Sequence, residues 1–182
     1  MTTAKLPARA DVVIIGGGIV GCSIAYHLTK IGITNVVVLE RKQLTSGTTW
    51  HAAGLVTQLR STRNLTELAK YTTKLFEGLE QETGQAIGFK QNGSISLALT
   101  DGRLEEILRG ASMARNFGLE LDVLSPGEVK ERIPAYNMEN VKGAVFLPRD
   151  GQLNPIDVTQ ALTSGPRTHG AQLFENAKVT RT

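Results

Sequence analysis

Two stretches of this chain carry residue types whose spacing could do chemistry. The first is Gly16-x-Gly18-x-x-Gly21, which follows the β-branched run Val12-Val13-Ile14-Ile15. In such a turn Gly16 permits the tight bend, Gly18 lets backbone approach a pyrophosphate, and Gly21 allows a helix to lie close on a strand. The unpaired N–H groups at the positive end of that helix then seat the diphosphate. Glu40, 19 residues past Gly21, ends a second apolar run, Val36-Val37-Val38-Leu39. A carboxylate there accepts hydrogen bonds from both ribose hydroxyls and repels a 2′-phosphate. The chemistry is dinucleotide binding. NADP is disfavoured, while FAD and NAD both stay open because each presents an ADP half. The second stretch is Leu44-Thr45-Ser46-Gly47-Thr48-Thr49-Trp50-His51-Ala52-Ala53-Gly54-Leu55, small and hydroxyl-rich apart from its Trp-His pair.

The elements that must position these residues follow from periodicity. Residues 11–15 and 36–40 read as buried parallel strands, with a helix over 19–31 between them. Gly21, Ala25, Leu28 and Gly32 share one face of that helix, which suits tight packing on a sheet. Residues 41–63 lack periodicity and read as a long functional loop. Asn64 and Glu67 form a capping-box pattern. Leu65, Leu68, Ala69, Thr72, Leu75, Phe76 and Leu79 then predict a helix with those residues inward, ending at Gly84. Strands are expected at 94–99, 121–124, 143–147 and 171–175. Helices are expected from 104 to 117, after the Ser125-Pro126-x-Glu128 cap, and over 155–165 behind Asn154-Pro155. Pro166 should end or kink the last of these.

Composition narrows the field. The 182 residues are 41% hydrophobic and 20% charged, with a net charge of +3, which fits a globular chain of one domain, or one and part of another. No apolar run reaches the roughly 20 residues that span a bilayer. The start, Met1 to Pro7, has the look of neither a secretory signal nor an amphipathic transit peptide. The expected location is therefore cytoplasmic, or the mitochondrial matrix in a eukaryote. No basic patch interleaved with aromatics supports nucleic-acid binding. A single cysteine, Cys22, excludes an internal disulfide and a Cys-based zinc site.

The glycine turn, the Glu40-Arg41 end of the second strand and Thr45-Ser46-Gly47-Thr48-Thr49-Trp50-His51-Ala52-Ala53-Gly54-Leu55 together resemble the sarcosine and dimethylglycine dehydrogenase family. That family belongs to the D-amino-acid-oxidase-like flavoproteins. The likeness continues through Glu82-Thr83-Gly84, Gln91-Asn92-Gly93-Ser94 and Asp150 to Pro155, and ends with Gly170-Ala171 and Val179-Thr180. It implies an α/β fold: a Rossmann-like FAD-binding βαβ domain with part of an inserted α+β substrate or cap region, truncated at its C-terminus. Residues 1–182 would be the N-terminal part of a FAD-dependent oxidoreductase domain. The rest of the FAD and substrate domain, and a folate-binding domain, would lie beyond.

By the same resemblance, FAD is the cofactor and His51 is its covalent attachment point, at the flavin 8α-methyl. Gly16, Gly18, Ile19, Val20 and Gly21 fall at the phosphates, Glu40 and Arg41 at the ribose. Gly47, Thr48, Thr49, Trp50, His51, Ala52, Ala53, Gly54 and Leu55 run along the pyrophosphate and isoalloxazine, and Val179 turns backbone toward the adenine. The implied reaction is oxidative N-demethylation of sarcosine or dimethylglycine by hydride transfer to flavin. Tetrahydrofolate serves the full-length protein, and an electron-transfer flavoprotein is the acceptor. Arg60 is a candidate ligand for a substrate carboxylate, because a guanidinium gives two parallel hydrogen bonds. One relative in this family is a phosphatase regulatory subunit rather than a dehydrogenase. His51 favours the enzyme lineage, and together with Glu40-Arg41 it disfavours an NAD-linked enzyme.

The remaining candidates have plainer readings. Cys22 sits on the helix face against the sheet and suits a core position. His27 reads as a satisfied histidine, and His169 as a favourable partner of a helix C-terminus. The three histidines are too dispersed for a metal site.

Overall fold

The computed structural model describes residues 6–181. Met1 to Lys5, most of the stretch read for a leader, lie outside the described residues, as does Thr182. The elements run β1 (Val12–Ile15), α1 (Ile19–Lys30), β2 (Val36–Leu39), a 3₁₀ turn (Thr48–His51), β3 (Leu55–Val56), α2 (Arg63–Thr83), β4 (Ser94–Ala98), α3 (Asp101–Asn116), β5 (Asp122–Leu124), α4 (Pro126–Arg132), β6 (Gly143–Leu147), β7 (Gly151–Gln152), α5 (Pro155–Thr168) and β8 (Gln172–Phe174). They divide into two compact units. One holds the residues up to Gly54, Phe76–Gly88 and those from Leu153 onward; the other holds Leu55–Leu75 and Phe89–Gln152.

The first unit is built on a parallel sheet in the order β1-β2-β8. Val12 pairs with Val36 and Ile15 with Leu39, and on the other side Val37 pairs with Gln172. Val36, Val37 and Val38 are all buried, as a strand covered on both faces requires. Ile14, Ala25, Val36, Val38 and Ala171 form the core, with Leu28 and Ile33 packed on it. Each fully buried Val or Leu of this kind contributes about 1.5–3 kcal/mol. Cys22 is wholly buried, and burial pushes its thiol up to about 12, against a weaker lowering by Arg167. It stays an inert thiol at neutral pH. β1 differs from its neighbours: Val13 and Ile15 are 54% and 59% exposed.

Helix α5 docks on α1. A Cβ at Gly165 would stand 3.1 Å from the Tyr26 ring, so glycine permits that approach. Pro166 neither ends nor displaces this helix, which continues to Thr168 with Pro166 buried inside it. The sequence expectation of a stop at 165 is corrected. The proline lies in the last turn, where its missing N–H forfeits one bond, that to Leu162 C=O, and the helix end beyond it closes with His169 and Ala171 N–H both donating to Pro166 C=O. His169 lies at this helix end with Nδ1 2.8 Å from Gly165 C=O. His27 Nδ1 is 2.7 Å from Ser23 C=O.

The second unit carries the antiparallel sheet β4-β6-β5 and the short ribbon β3-β7. Ala98, Ile107, Ala111, Ala114, Leu119, Val145 and Leu147 form its core. Asp150, 2% exposed, joins its parts: Oδ1 accepts the Gln58 N–H at 2.8 Å and Oδ2 the Ser94 hydroxyl at 2.5 Å. Ser125 and Glu128 complete their capping box as expected. Gly118, at φ 71°, follows α3 as the predicted stop.

Three sequence expectations change here. Helix α2 starts at Arg63, one residue before the predicted Asn64 cap, and Thr62 caps it through the Leu65 N–H at 3.4 Å. Its inward face is also rotated. Thr66, Thr73, Phe76 and Leu79 are buried, whereas Leu65 and Leu68 are exposed. Threonines can occupy the inside because their hydroxyls bond local backbone: Thr73 to Ala69 C=O and Thr66 to Arg60 C=O. The ribbon is the third: β3 lies inside the 41–63 stretch expected as loop, and neither it nor β7 has enough residues for an alternation to register.

In the first unit, the C-terminal part of α2 is tied to α1 by a small polar cluster. The Tyr26 hydroxyl lies 2.8 Å from both Glu82 carboxylate oxygens, and Lys30 Nζ is 2.8 Å from Oε2. Burial works to raise the Glu82 pKa, but hydrogen bonds from Lys30 and Tyr26 outweigh it and hold the carboxyl below its ordinary 4.5. A depressed carboxyl stabilises the fold above its unfolded-state pKa and loses that contribution as pH falls through the folded value. Glu82→Gln is therefore expected to lower stability at neutral pH by about 1 kcal/mol or less, given how exposed the pair is. The difference between the two proteins in urea titrations should shrink as the pH falls below 4.5; a difference that keeps its neutral-pH size at pH 2 would contradict the assignment.

Candidate functional site

The turn from β1 into α1 has little room for side chains. Gly16 takes φ 113°, which glycine alone adopts freely. A Cβ on Gly21 would collide with the Gly16 carbonyl oxygen and crowd Ile14. A Cβ on Gly17 would collide with Leu44 Cδ2 and stand 2.9 Å from Glu40 Cβ. Gly17 was missed in the sequence, because its demand comes from a loop 27 residues away rather than from the motif. Helix α1 has Gly18 as its N-cap, with no side-chain capping bond from it. Ile19 N–H instead donates to the Thr49 hydroxyl at 3.0 Å. The next amides, Val20 and Gly21, have no acceptor within the helix.

Glu40 lies beside this turn. Its Oε2 accepts the Gly17 N–H and its Oε1 the Lys42 N–H, each at 2.8 Å. Both oxygens keep a second lone pair for an outside donor. Backbone bonds run on from the strand end: Glu40 N–H to Phe174 C=O, Ala177 N–H to Glu40 C=O, and Asn176 N–H to Lys42 C=O. The Glu175 carboxylate accepts the Leu44 N–H at 2.7 Å. A cleft of about 270 Å³ opens at this edge, lined by Ile15, Gly16, Leu39, Glu40, Arg41, Ala177, Lys178 and Val179. It brings together four of the residues singled out in the sequence, Gly16, Glu40, Arg41 and Val179, although Val179 comes nearly 140 residues after Arg41.

The loop after β2 is pinned to both sides of the glycine turn. Thr45 N–H donates to Gly17 C=O at 3.0 Å, and Thr49 accepts from Ile19. Thr45 is buried with φ 68°, a conformation costing a β-branched residue about 1–3 kcal/mol. Past these anchors, Trp50 and His51 lie exposed with ring centroids 4.6 Å apart. His51 Nδ1 is 3.1 Å from Gly47 C=O. A carbonyl only accepts, so this bond requires the proton on Nδ1 and leaves Nε2 of the neutral ring with its lone pair free. Thr48, Ala52 and Ala53 are exposed, whereas Gly54 is buried at φ 74° against Leu153 C=O. Arg60 belongs to the other unit, and its Nη1 donates to Thr57 Oγ1 at 2.6 Å and to Leu59 C=O.

The model of the DAO family, FAD-dependent oxidoreductases, matches residues 11–182. The chain belongs to that family. It is 43% identical over 176 residues to mitochondrial sarcosine dehydrogenase of Mus musculus, covering 96% of this chain and 19% of that protein. It is 44% identical over 172 residues to mitochondrial dimethylglycine dehydrogenase of Homo sapiens, covering 94% and 20%. Among solved structures, L-proline dehydrogenase from P. horikoshii superposes with a TM-score of 0.89 at 30% identity, over 96% of this chain and 46% of that one. The chain thus spans about a fifth of the length of the curated relatives it matches.

FAD is the cofactor of this family, and the DAO-family chain fits it on physical grounds. The cleft offers a carboxylate with spare acceptor capacity at its floor, and the glycine turn exposes backbone where a diphosphate needs close approach. The Asp150 to Pro155 segment, also part of the resemblance, serves structure instead: Asp150 staples three segments and Asn154 caps α5. Among the described residues no helix is long and apolar enough to cross a membrane.

The crowding separates two glycines of this DAO-family site. Gly17→Ala should destabilise the fold by roughly 1–3 kcal/mol, the usual cost of overpacking. Gly47→Ala should cost less than Gly17→Ala, since open space surrounds that position. Denaturant unfolding of both variants checks this; equal stabilities would refute it.

Proposed function

We propose that this chain supplies the ADP- and flavin-binding segment of an enzyme that oxidises the N-methyl group of a methylated glycine, sarcosine or dimethylglycine. The observation that carries the reading is the convergence of Glu40, Arg41, Gly16 and Val179 on one cleft beside the N-terminus of α1. Glu40 would receive the ribose hydroxyls on its free lone pairs, already oriented by Gly17 and Lys42 N–H. Ile19, Val20 and Gly21 would face the diphosphate, whose negative charge the helix end favours. The segment from Gly47 to Leu55 would line the isoalloxazine.

When bound, the flavin would accept hydride from the substrate and would present its 8α-methyl carbon to His51, whose Nε2 would be the attachment atom. His51 suits this role because Gly47 C=O holds its Nδ1 proton and directs reactivity to Nε2. The tether keeps cofactor and protein together through turnover. The iminium product would be hydrolysed to formaldehyde or captured by tetrahydrofolate in the full-length protein, with an electron-transfer flavoprotein as acceptor. Arg60 is a candidate for the substrate carboxylate, provided it releases Thr57. The cell compartment in this reading is the cytoplasm, or the mitochondrial matrix in a eukaryote.

The 182 residues are, in this reading, the N-terminal part of the oxidoreductase domain. Exposed Val13 and Ile15 on β1, and Val20 and Ile24 on α1, support it, since β-branched strand residues are ordinarily covered. The isolated segment is then expected to bind FAD poorly and to be inactive.

Acid precipitation of the full-length protein tests the tether. The expected result is a yellow pellet whose flavin peptide contains His51 linked at Nε2, and a colourless pellet from His51→Ala. A white wild-type pellet with all colour in the supernatant would overturn the covalent assignment. Bleaching of the flavin band by sarcosine or dimethylglycine tests the activity, and a flavin that neither amine reduces would overturn it.

A further inference from the structure

One hydrogen bond between the histidine loop and the N-terminus of α1 is made by a side chain, and it caps the helix from a distance. Gly18, the N-cap of α1, offers no side-chain acceptor, yet N-caps of helices are ordinarily served by a local Ser, Thr, Asp or Asn. The hydroxyl that accepts the Ile19 N–H comes from Thr49, 30 residues later. Thr49 is buried at 8% exposure, while its neighbours Thr48, Trp50 and His51 are exposed. A Cβ on Gly18 would lie 3.1 Å from the Thr49 hydroxyl oxygen, so the fit is close. Thr49 is also inside the 3₁₀ turn whose last residue is His51. The opposite end of this segment is fixed by Thr45 N–H on Gly17 C=O.

We propose that Thr49 is a positioning residue. Its hydroxyl holds the turn carrying His51 at a fixed place on the phosphate-binding end of α1, so that seating the diphosphate also sets the imidazole relative to the flavin. The proposal rests on the reading of His51 as the tether, but the bond it invokes is present in the fold independently of that reading. A bond from N–H to hydroxyl also fixes the direction of the link: the hydroxyl accepts from Ile19 and keeps its own proton to donate to an anion placed at the helix end. Thr49 would then hold the turn and complement the diphosphate at once.

The test uses the full-length protein reconstituted with FAD, and three proteins: wild type, Thr49→Val and Thr49→Ser. Two readouts are followed, the rate at which acid-stable flavin accumulates and the hydrogen–deuterium exchange of residues 45–52. Thr49→Val keeps the shape and loses the acceptor. It should slow the appearance of acid-stable flavin at least tenfold and speed exchange in 45–52, while FAD still binds at saturating concentration. Thr49→Ser should bring both readouts back to within threefold of wild type. If Thr49→Val does not accumulate, Thr49→Ala gives the same comparison without a branched methyl to misplace. Thr49→Val matching wild type in both readouts overturns the proposal, as does Thr49→Ser failing as badly as Thr49→Val. If wild type forms no acid-stable flavin, the tether reading fails. The exchange of 45–52 then decides Thr49 alone: faster exchange in Thr49→Val with rescue in Thr49→Ser supports it, and unchanged exchange overturns it.

Discussion

The want of space at the β1–α1 turn governs the arrangement of everything near it. Gly16, Gly17 and Gly21 are each held to hydrogen, by backbone conformation at the first and by close neighbours at the other two. Because nothing projects from the turn, the helix end can be approached from outside by backbone and small polar groups. Glu40 uses that access through the Gly17 N–H, Thr45 through the Gly17 C=O, and Thr49 through the Ile19 N–H. Two residues of the turn, Gly17 and Ile19, thus bond the one downstream segment that runs from Glu40 to Thr49. A single methyl group at Gly17 would intrude on two of its members, Leu44 and Glu40.

The second layer of order is backbone pairing at the edge of the sheet. β8 lies parallel to β2, and the chain beyond it turns back over the Glu40 end. Glu175, Asn176 and Ala177 each bond the 40–44 segment. That is why a short, unpatterned tail becomes a cleft wall. The buried Cys22 and the Tyr26–Glu82–Lys30 cluster belong to the support behind this wall and take no part in its chemistry.

Much of this was legible in the sequence where local physics decides. The glycine spacing, the valine run of β2, the Ser125 box and the Asn154-Pro155 cap each signal an element whose cause is a few residues long. Glu40 follows from the motif spacing, His51 and Val179 from the family resemblance, and the cleft joins Glu40 with Val179. What stayed hidden depends on distant partners. Gly17 owes its requirement to Leu44, and the ribbon β3-β7 exists only as a pair. The face of α2 was misjudged because buried threonines look polar on a hydropathy count, though Thr66 and Thr73 satisfy their hydroxyls on backbone. Pro166 does not stop α5 because a last-turn proline forfeits only one bond and leaves the turns before it intact.

The wide separation of β2 and β8 along the chain has a consequence for the order in which this molecule is made. About 130 residues intervene between them, against about 20 between β1 and β2. Closing the longer loop costs only roughly 1.6 kcal/mol more at the slow logarithmic rate of flexible chains. In time, however, the difference is decisive. During translation the glycine turn and Glu40 can form their first contacts early, whereas the cleft wall from Ala177 to Val179 does not exist until the intervening residues have been synthesised. Synthesis at roughly 5–20 residues per second separates those moments by roughly 7 to 27 seconds. Throughout that interval the nascent chain has its glycine turn but only one side of the neighbouring cleft, so the cleft is completed late in the life of the polypeptide.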